Sequence, residues 1–332
     1  MSVAAITGAT GLVGANLAVL LRQAGHTVRC TRRAGSRTDL LDGVGVEWAE
    51  ADLAQPDALA RAFDGADVVF HCAAAVSVRK KATPEMIATN VDGTRHVVEA
   101  VRRAGARRLV HCSSVVAVGL TENGQPATEE AVWNFDKYGL GDGYAITKRD
   151  SERLVMEETR RGLDAVVVNP TYMFGPYDQR PSSGGMIIEV VRGKVPGYST
   201  GSNNFVDVRD VARGMIAAWQ RGRSGERYIL GGENMPYRDI FRRIAAVAGV
   251  KPPRFAIPRW LAAPIGWVGD LQETFGDKDP LISSNTLAWG YATRFQFDSS
   301  KAKRELGYTV GNVDDGIRDA LAWFRARGML PA

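Results

Sequence analysis

The sequence predicts an α/β fold, a doubly wound parallel sheet with a smaller, mainly helical C-terminal lobe. Three observations predict it. Short apolar runs alternate with helix-period segments through the first two-thirds of the chain, the pattern of repeated strand–helix–strand units. A glycine-rich turn, Thr7-Gly8-Ala9-Thr10-Gly11-Leu12-Val13-Gly14, joins the first apolar run to the first helical one. After Pro170 the texture changes, with Pro, Gly and Ser frequent in Gly175-Pro176, Pro181-Ser182-Ser183-Gly184-Gly185 and Pro196-Gly197. The expected division is residues 1–170 for the sheet and 171–332 for the lobe, with some later segments returning to the sheet.

The first strand, Val3 to Thr7, leads into the glycine turn, and the first helix follows from Leu12 to Gln23. Further strands are expected over Thr27 to Thr31, Val44 to Ala49, Val68 to His71, Arg108 to Cys112 and Ala165 to Val168. Before the fifth strand, Thr83 is the expected N-cap of a helix with Pro84 at its first position and Glu85 in its first turn. Its apolar face is expected to carry Ile87, Val91, Val98 and Val101, and Gly105 ends it. In the lobe, helices are expected to begin near Met186, Val208, Tyr237, Pro258 and Asn312, while Tyr228 to Leu230 reads as a strand. Such a lobe covers the C-terminal edge of the sheet, where ligands bind in open α/β folds.

With 332 residues, 45% of them hydrophobic and 24% charged, the chain can bury a sizeable core as soluble enzymes do. No apolar stretch reaches the roughly 18 residues of a membrane span, and the N-terminus lacks a secretory pattern, so a cytoplasmic protein is expected. The net charge of +5 and pI near 9.1 raise the question of nucleic acid. The basic residues are scattered, however, and Arg102-Arg103 and Arg160-Arg161 fall in last helical turns, where cations meet the dipole. No nucleic-acid partner is expected. Cys30, Cys72 and Cys112 sit at or near strand ends without a CxxC pair or clustered histidines, so they read as small buried apolar residues, and no metal site is expected.

The glycine turn lies between a strand and a helix, the setting of a Rossmann-type dinucleotide site. Glycine is needed where the backbone bends, where a diphosphate approaches the main chain and where helix packs on strand. Gly8, Gly11 and Gly14 fill those roles, and Thr10, Leu12 and Val13 complete the candidate phosphate contacts at the helix N-terminus. An NAD site carries an acid at the end of the second strand, for the ribose hydroxyls. Here Arg32 and Arg33 stand there, with Arg37 shortly after, which predicts NADP(H) through pairing with the 2′-phosphate. Asp52 and Leu53 follow the third strand, placed to meet the adenine. Ala73, Ala74 and Ala75 follow the fourth, offering small residues where the cofactor passes closely.

Tyr144 and Lys148 are four apart, so on a helix they share a face. A tyrosine of ordinary pKa near 10 is a poor acid–base group at neutral pH; a nearby ammonium and an oxidised nicotinamide favour the phenolate and lower it. Tyr144 is thus the candidate proton donor to a carbonyl oxygen during hydride transfer. Ser114, at the end of the fifth strand, can bind the same oxygen. Ser113 turns to the other face, with a structural or cofactor-proximal role.

These motifs, together with Thr89-Asn90-Val91-Asp92-Gly93-Thr94, Asn169-Pro170-Thr171-Tyr172-Met173-Phe174-Gly175-Pro176 and Phe205-Val206-Asp207-Val208-Arg209-Asp210-Val211-Ala212, make a chain that resembles the extended short-chain dehydrogenase/reductases over nearly its whole length. The resemblance implies that Lys148 also holds the nicotinamide ribose, that Pro170 flanks the nicotinamide, and that Asn90 supports the active-site helix or a proton relay. It also implies a homodimer formed by the helix from Pro84 and the helix bearing Tyr144. Family members commonly have Arg before that proline, whereas this chain has Asn169.

Within such a family, two activities compete. Dihydroflavonol reductases and 3β-hydroxysteroid dehydrogenases exchange their nicotinamide and act on a free ketone or alcohol. Sugar-nucleotide epimerases and dehydratases retain NAD and grip a diphosphate with basic residues of the lobe. The segments Phe255 to Val268 and Leu287 to Tyr291 are apolar and aromatic, which suits either a hydrophobic substrate pocket or the packed core of the lobe. With Arg32 and Arg33, the expectation is an NADPH-dependent reductase of a small-molecule ketone. Arg294 and Arg304 keep sugar-nucleotide chemistry as the alternative, and a non-catalytic NADP sensor is a third reading. The loop from Leu120 to Gly143, with Trp133, Phe135 and Tyr138, is expected to border the pocket and close over substrate.

Overall fold

The computed structural model describes residues 1–120, 122–276 and 282–331. The main sheet is built from β1 (Val3–Thr7), β2 (Thr27–Arg32), β3 (Glu47–Glu50), β4 (Val68–His71), β5 (Arg108–Cys112) and β6 (Ala165–Pro170). After β7 (Tyr172–Phe174), β8 (Gly197–Tyr198) and β9 (Ser202–Asp207), the chain returns to its edge with β10 (Arg227–Leu230). All seven strands are parallel, in the order β10-β6-β5-β4-β1-β2-β3. The chain reverses direction across the sheet between β1 and β4. A crevice therefore opens at their C-terminal ends.

Strand alternation assigns the two faces. Ala4, Ile6, Val68, Phe70, Val110 and Val168 pack beneath α1 (Leu12–Gln23). Ala5, Val69, Leu109 and Val167 pack beneath α2 (Pro56–Phe63) and the helices that follow. Three pieces come next: α3 (Pro84–Met86), a π-helical stretch Ile87–Asp92, and α4 (Gly93–Ala104), which Gly105 ends at φ 63°. Thr83 caps α3 as expected, its Oγ1 accepting the Met86 N–H at 3.2 Å. The expected apolar face is corrected at its start. The wider π turn repeats about every four residues and so buries Met86, Asn90 and Thr94, leaving Ile87 exposed and Val91 half-buried.

The third strand is also shifted, beginning at Glu47 rather than Val44. Gly43 and Gly45 both have φ of 78°, a left-handed pair that holds Val44 in a turn closed by its N–H to the Leu41 carbonyl at 3.1 Å.

The remaining helices are α5 (Gly143–Arg160), α6 (Gly185–Val191), α7 (Val208–Arg221), α8 (Tyr237–Ala248), α9 (Arg259–Phe275), α10 (Ser284–Tyr291), α11 (Ser300–Leu306) and α12 (Val313–Ala326). α5 joins α2 and α4 on one face of the sheet, and α7 and α11 join α1 on the other. A small sheet, β11 (Glu233–Pro236) with β9 and β7, carries the lobe, whose core is α6, α8 and α12 around Phe174 and Phe205. β12 (Phe255–Ala256) pairs with β8. Among the described residues, no helix is long and apolar enough to cross a membrane.

At the heart of the sheet, His71 and His111 face each other on paired strands with ring centroids 5.3 Å apart. Burial lowers the His71 pKa to about 3 and the His111 pKa well below its ordinary value, and the Lys148 ammonium adds to both shifts. The folded state therefore binds fewer protons than the unfolded chain once pH drops below about 6.5. The stability these neutral rings contribute is complete above that pH and is lost as pH falls toward 3. Urea melts at pH 6.5 and pH 5 should differ by on the order of 1.4 kcal/mol per pH unit for each ring. Equal stability at both values would refute neutral burial.

Candidate active site

The glycine turn closes tightly on the crevice. Gly8 has φ 74°, and a Cβ there would lie 2.5 Å from the Ala73 nitrogen, while one on Gly14 would overlap the Gly8 carbonyl oxygen. Only glycine lets β1, the loop after β4 and α1 approach so closely. Gly11 caps α1 without a side-chain hydrogen bond, and no acid occupies the first turn. The helix N-terminus is thus left with backbone donors and a positive dipole end, with half-buried Thr10, Leu12 and Val13 beside it. This cradle fits a nucleotide diphosphate.

The loop Ala73-Ala74-Ala75 is fastened from below. Ala75 donates to Asn90 Oδ1 at 2.8 Å, while Asn90 Nδ2 donates to the Ala75 carbonyl at 2.9 Å and to Thr147 Oγ1 at 3.0 Å. Asn90 thus ties the loop to the helix bearing Tyr144. Asp52 accepts the Ala54 N–H at 2.9 Å in a tight turn. Leu53 packs against α4, where its side chain bounds Gly93.

The three arginines differ. Arg32 ends β2 and reaches Glu50 at 3.8 Å, a loose pair. Arg33 is exposed and has no ion pair among the described residues. Arg37 is engaged by Asp39 through two hydrogen bonds of 3.0 and 2.8 Å, and Asp39 also holds Arg327. Arg33 is therefore the one whose charge is most available to a ligand.

Just past the C-terminal end of β5, the Ser114 hydroxyl accepts the Val116 N–H at 3.4 Å, and it draws the pKa of nearby Tyr144 downward. Lys148, one turn further along α5, is buried and donates from Nζ to the Cys112 carbonyl at 2.7 Å. The lowering of the Tyr144 pKa expected from Lys148 is absent in the chain alone. Burial, with the Cys112 thiol, shifts the phenol upward and outweighs the downward pull of Ser114. Burial likewise lowers the Lys148 pKa, opposed by Cys112 and Glu152. Pro170 is buried at the end of β6, flanked by the orphaned buried oxygens Asn169 Oδ1 and Thr171 Oγ1, polar groups suited to a ligand at that point.

Two supporting residues escaped the sequence reading. Glu152 is buried and accepts from Ser113 Oγ at 2.6 Å, Asn169 Nδ2 at 2.6 Å and Arg227 Nη1 at 3.0 Å. Asn169 also donates to the Ser114 carbonyl at 3.0 Å, so it braces the Ser-Ser strand end. Asp142 caps α5 by accepting the Ala145 N–H at 2.8 Å, and it binds Asn285 at 3.0 Å and Trp289 at 2.9 Å. The legible signal was an acid at the helix start and another four residues beyond Lys148, on the buried face.

The aromatic segments divide. Trp289 packs beside Phe135 and Phe295 in the cluster that includes Tyr144. Phe135 is fully buried, which anchors the loop expected to close over substrate; its Thr121 lies outside the described residues. The segment from Phe255 fills neither a pocket nor the lobe core, since most of its large apolar side chains face outward. Arg304 stands on α11, on the sheet face opposite the Tyr144 helix. Arg294 lies over the Tyr138 ring at 5.1 Å, beside a cleft of about 160 Å³ shared with Leu140, Arg259 and Tyr291.

A parallel sheet with this strand order, a glycine cradle at its switch point and a Ser-Tyr-Lys set beside it define a nicotinamide-dependent oxidoreductase of the extended short-chain class. The chain belongs to the NAD dependent epimerase/dehydratase family, whose model matches residues 4–231. It is 34% identical over 328 residues to a putative dihydroflavonol 4-reductase of Synechocystis, covering 97% of this chain and 94% of that one. It is 37% identical to sterol demethylase protein B of Methylococcus capsulatus, covering 98% and 99% respectively. Among solved structures it is similar to a nucleoside-diphosphate-sugar epimerase from Pseudomonas aeruginosa, with a TM-score of 0.81, 28% identity and 98% of each chain covered.

Proposed function

We propose that the protein is an NADPH-dependent reductase that converts a ketone on an apolar or aromatic small molecule to a secondary alcohol. The observation that carries this reading is the placement of Tyr144 and Lys148 one turn apart on α5 against the end of β5, where Lys148 donates to the Cys112 carbonyl at 2.7 Å, two residues before Ser114. When bound, the reduced nicotinamide supplies hydride to the carbonyl carbon. Gly8, Gly11, Gly14 and the start of α1 would hold its diphosphate, Arg33 and Arg32 its 2′-phosphate, and Pro170 would flank its ring. Ser114 binds the carbonyl oxygen, and Tyr144 Oη delivers its proton to that oxygen as negative charge develops. Lys148, held at the Cys112 carbonyl one turn from Tyr144, would hold the nicotinamide ribose, and the positive charge of the oxidised nicotinamide would favour the phenolate left behind.

Arg33→Ala should weaken NADPH binding by about tenfold or more and leave NADH binding nearly unchanged, because a charge-assisted contact to the 2′-phosphate is worth roughly 1.5–3 kcal/mol. Fluorescence titration checks it, and NADH binding as tightly as NADPH in the parent protein would remove the NADP assignment.

A second reading, sugar-nucleotide epimerisation with retained NAD, draws on the Pseudomonas relative and on Arg259 and Arg294 beside the cleft. Mass spectrometry of nucleotide released from freshly purified, denatured protein separates them. The reductase should release little nucleotide, and stoichiometric NAD would favour the epimerase.

The homodimer belongs to the same proposal, with exposed Ile87 on the segment that would meet its copy. Light scattering should give twice the 35.9 kDa chain mass; a species of 35.9 kDa alone would reject it.

A further inference from the structure

α9 is inside out. Trp260, Leu261, Ile265, Trp267, Val268, Leu271 and Phe275 are all exposed, from 52% to 83%. At about 100° per residue they share one arc of about 160°. The opposite side is made of small residues, with Ala262, Gly266 and Gly269 buried against α10. A Cβ on Gly266 would lie 2.8 Å from Leu287 Cδ1, and one on Gly269 would overlap the Ile282 carbonyl oxygen. The helix therefore cannot roll its large side chains inward, and its orientation is fixed by what it lacks on the inner side.

Among the described residues, the exposed charges at the two ends of this face have one sign. Asp270 and Glu273, the two acids of α9, are turned to the protein, accepting the Ser284 N–H at 2.8 Å and the Lys80 N–H at 2.9 Å. Arg79 donates to the Glu273 and Gly276 carbonyls at 3.1 and 2.8 Å, fastening the segment with exposed Lys80 and Lys81 to the end of the helix. At the other end stand exposed Lys251, Arg254 and Arg259. Exposed Val76 and Val78 extend the apolar surface.

We propose that α9 docks the protein on an anionic lipid surface, its apolar arc lying in the headgroup boundary and the five flanking cations meeting lipid phosphates. An exposed apolar helical face that carries two tryptophans along one edge, with lysine and arginine at its rim, has the chemistry of an interfacial helix. A second copy of the chain is a poorer occupant, because a two-fold contact through this face would bring the same basic fringe against itself. The docked face adjoins the site: Asn285 bridges the Val78 carbonyl to Asp142, the cap of the Tyr144 helix. An apolar substrate would thus reach the cleft from the bilayer, a consequence that rests on the proposed reductase reading, whereas the docking does not.

The test is flotation of the full chain with vesicles of phosphatidylglycerol and phosphatidylcholine, against vesicles of phosphatidylcholine alone. The protein should float with the anionic vesicles, lose that binding as salt is raised, and show a blue shift of tryptophan emission. The triple variant Trp260→Ser, Trp267→Ser, Phe275→Ser should lose at least about tenfold in vesicle affinity with unchanged melting, since all three side chains are already exposed. Lys80→Glu with Lys81→Glu should abolish the preference for anionic lipid. Wild-type protein that stays unbound with both vesicle types overturns the proposal. A mass doubling without lipid that the triple variant abolishes also overturns it, by making a second copy the occupant.

Discussion

Tyr144→Phe is expected to lower kcat for ketone reduction by about 10²–10⁴-fold, with NADPH affinity and melting temperature close to those of the parent protein. The substitution removes one oxygen, and with it the proton that must reach the carbonyl oxygen as hydride arrives. The sign of the pH dependence follows from the upward shift of the Tyr144 pKa. The donor form persists through neutrality, so kcat/KM for reduction should stay level up to about pH 9 and fall only as the ordinary tyrosine range near 10 is passed. Alcohol oxidation, which needs the phenolate, should rise with pH over the same interval. Steady-state rates in both directions check this, and a Tyr144→Phe enzyme of full activity would refute the mechanism.

Glu152→Ala is expected to cost about 3 kcal/mol of stability. The buried carboxylate holds Ser113, Asn169 and Arg227 at once, so its loss leaves the Ser113 hydroxyl without its acceptor and strips one partner each from Asn169 and Arg227. One of them is a guanidinium whose side chain is 22% exposed. Ser113 and Asn169 brace the strand end that presents Ser114, so kcat should fall with stability. Glu152→Gln retains the shape and one acceptor and should fall between the two. Urea denaturation with parallel kinetics measures both effects, and an alanine variant as stable as the parent would show that the network is not bearing on the fold.

The fold was legible because its signals are local. Strand alternation, the glycine turn and Thr83-Pro84 each act over a few residues, and the strands at Val3, Val68 and Arg108 begin and end where their apolar runs do. The misses came from longer-range determinants. Val44 was drawn out of the third strand by left-handed glycines on either side, and Ile87 was turned to solvent by a π turn that a regular period of 3.6 does not anticipate. At the candidate site, the spacing of Tyr144 and Lys148 on one helix anticipates their shared approach to the end of β5. Glu152 and Asp142 were not legible, because a lone acid on a helix usually faces water, and only the packed structure brings Arg227 and Trp289 to them. The apolar run from Phe255 misled for a related reason. Its glycines and alanines are the inner face, a choice that periodicity of the large side chains alone inverts.

The central claim is ketone reduction by the Ser114, Tyr144 and Lys148 set. The most direct measurement is NADPH consumption by purified protein over a panel of aromatic, steroidal and aliphatic ketones, with the alcohol product quantified. Consumption matched mole for mole by a secondary alcohol, and lost in Tyr144→Phe, is the predicted result. No consumption with any ketone, together with interconversion of a sugar nucleotide by the same preparation, would contradict it.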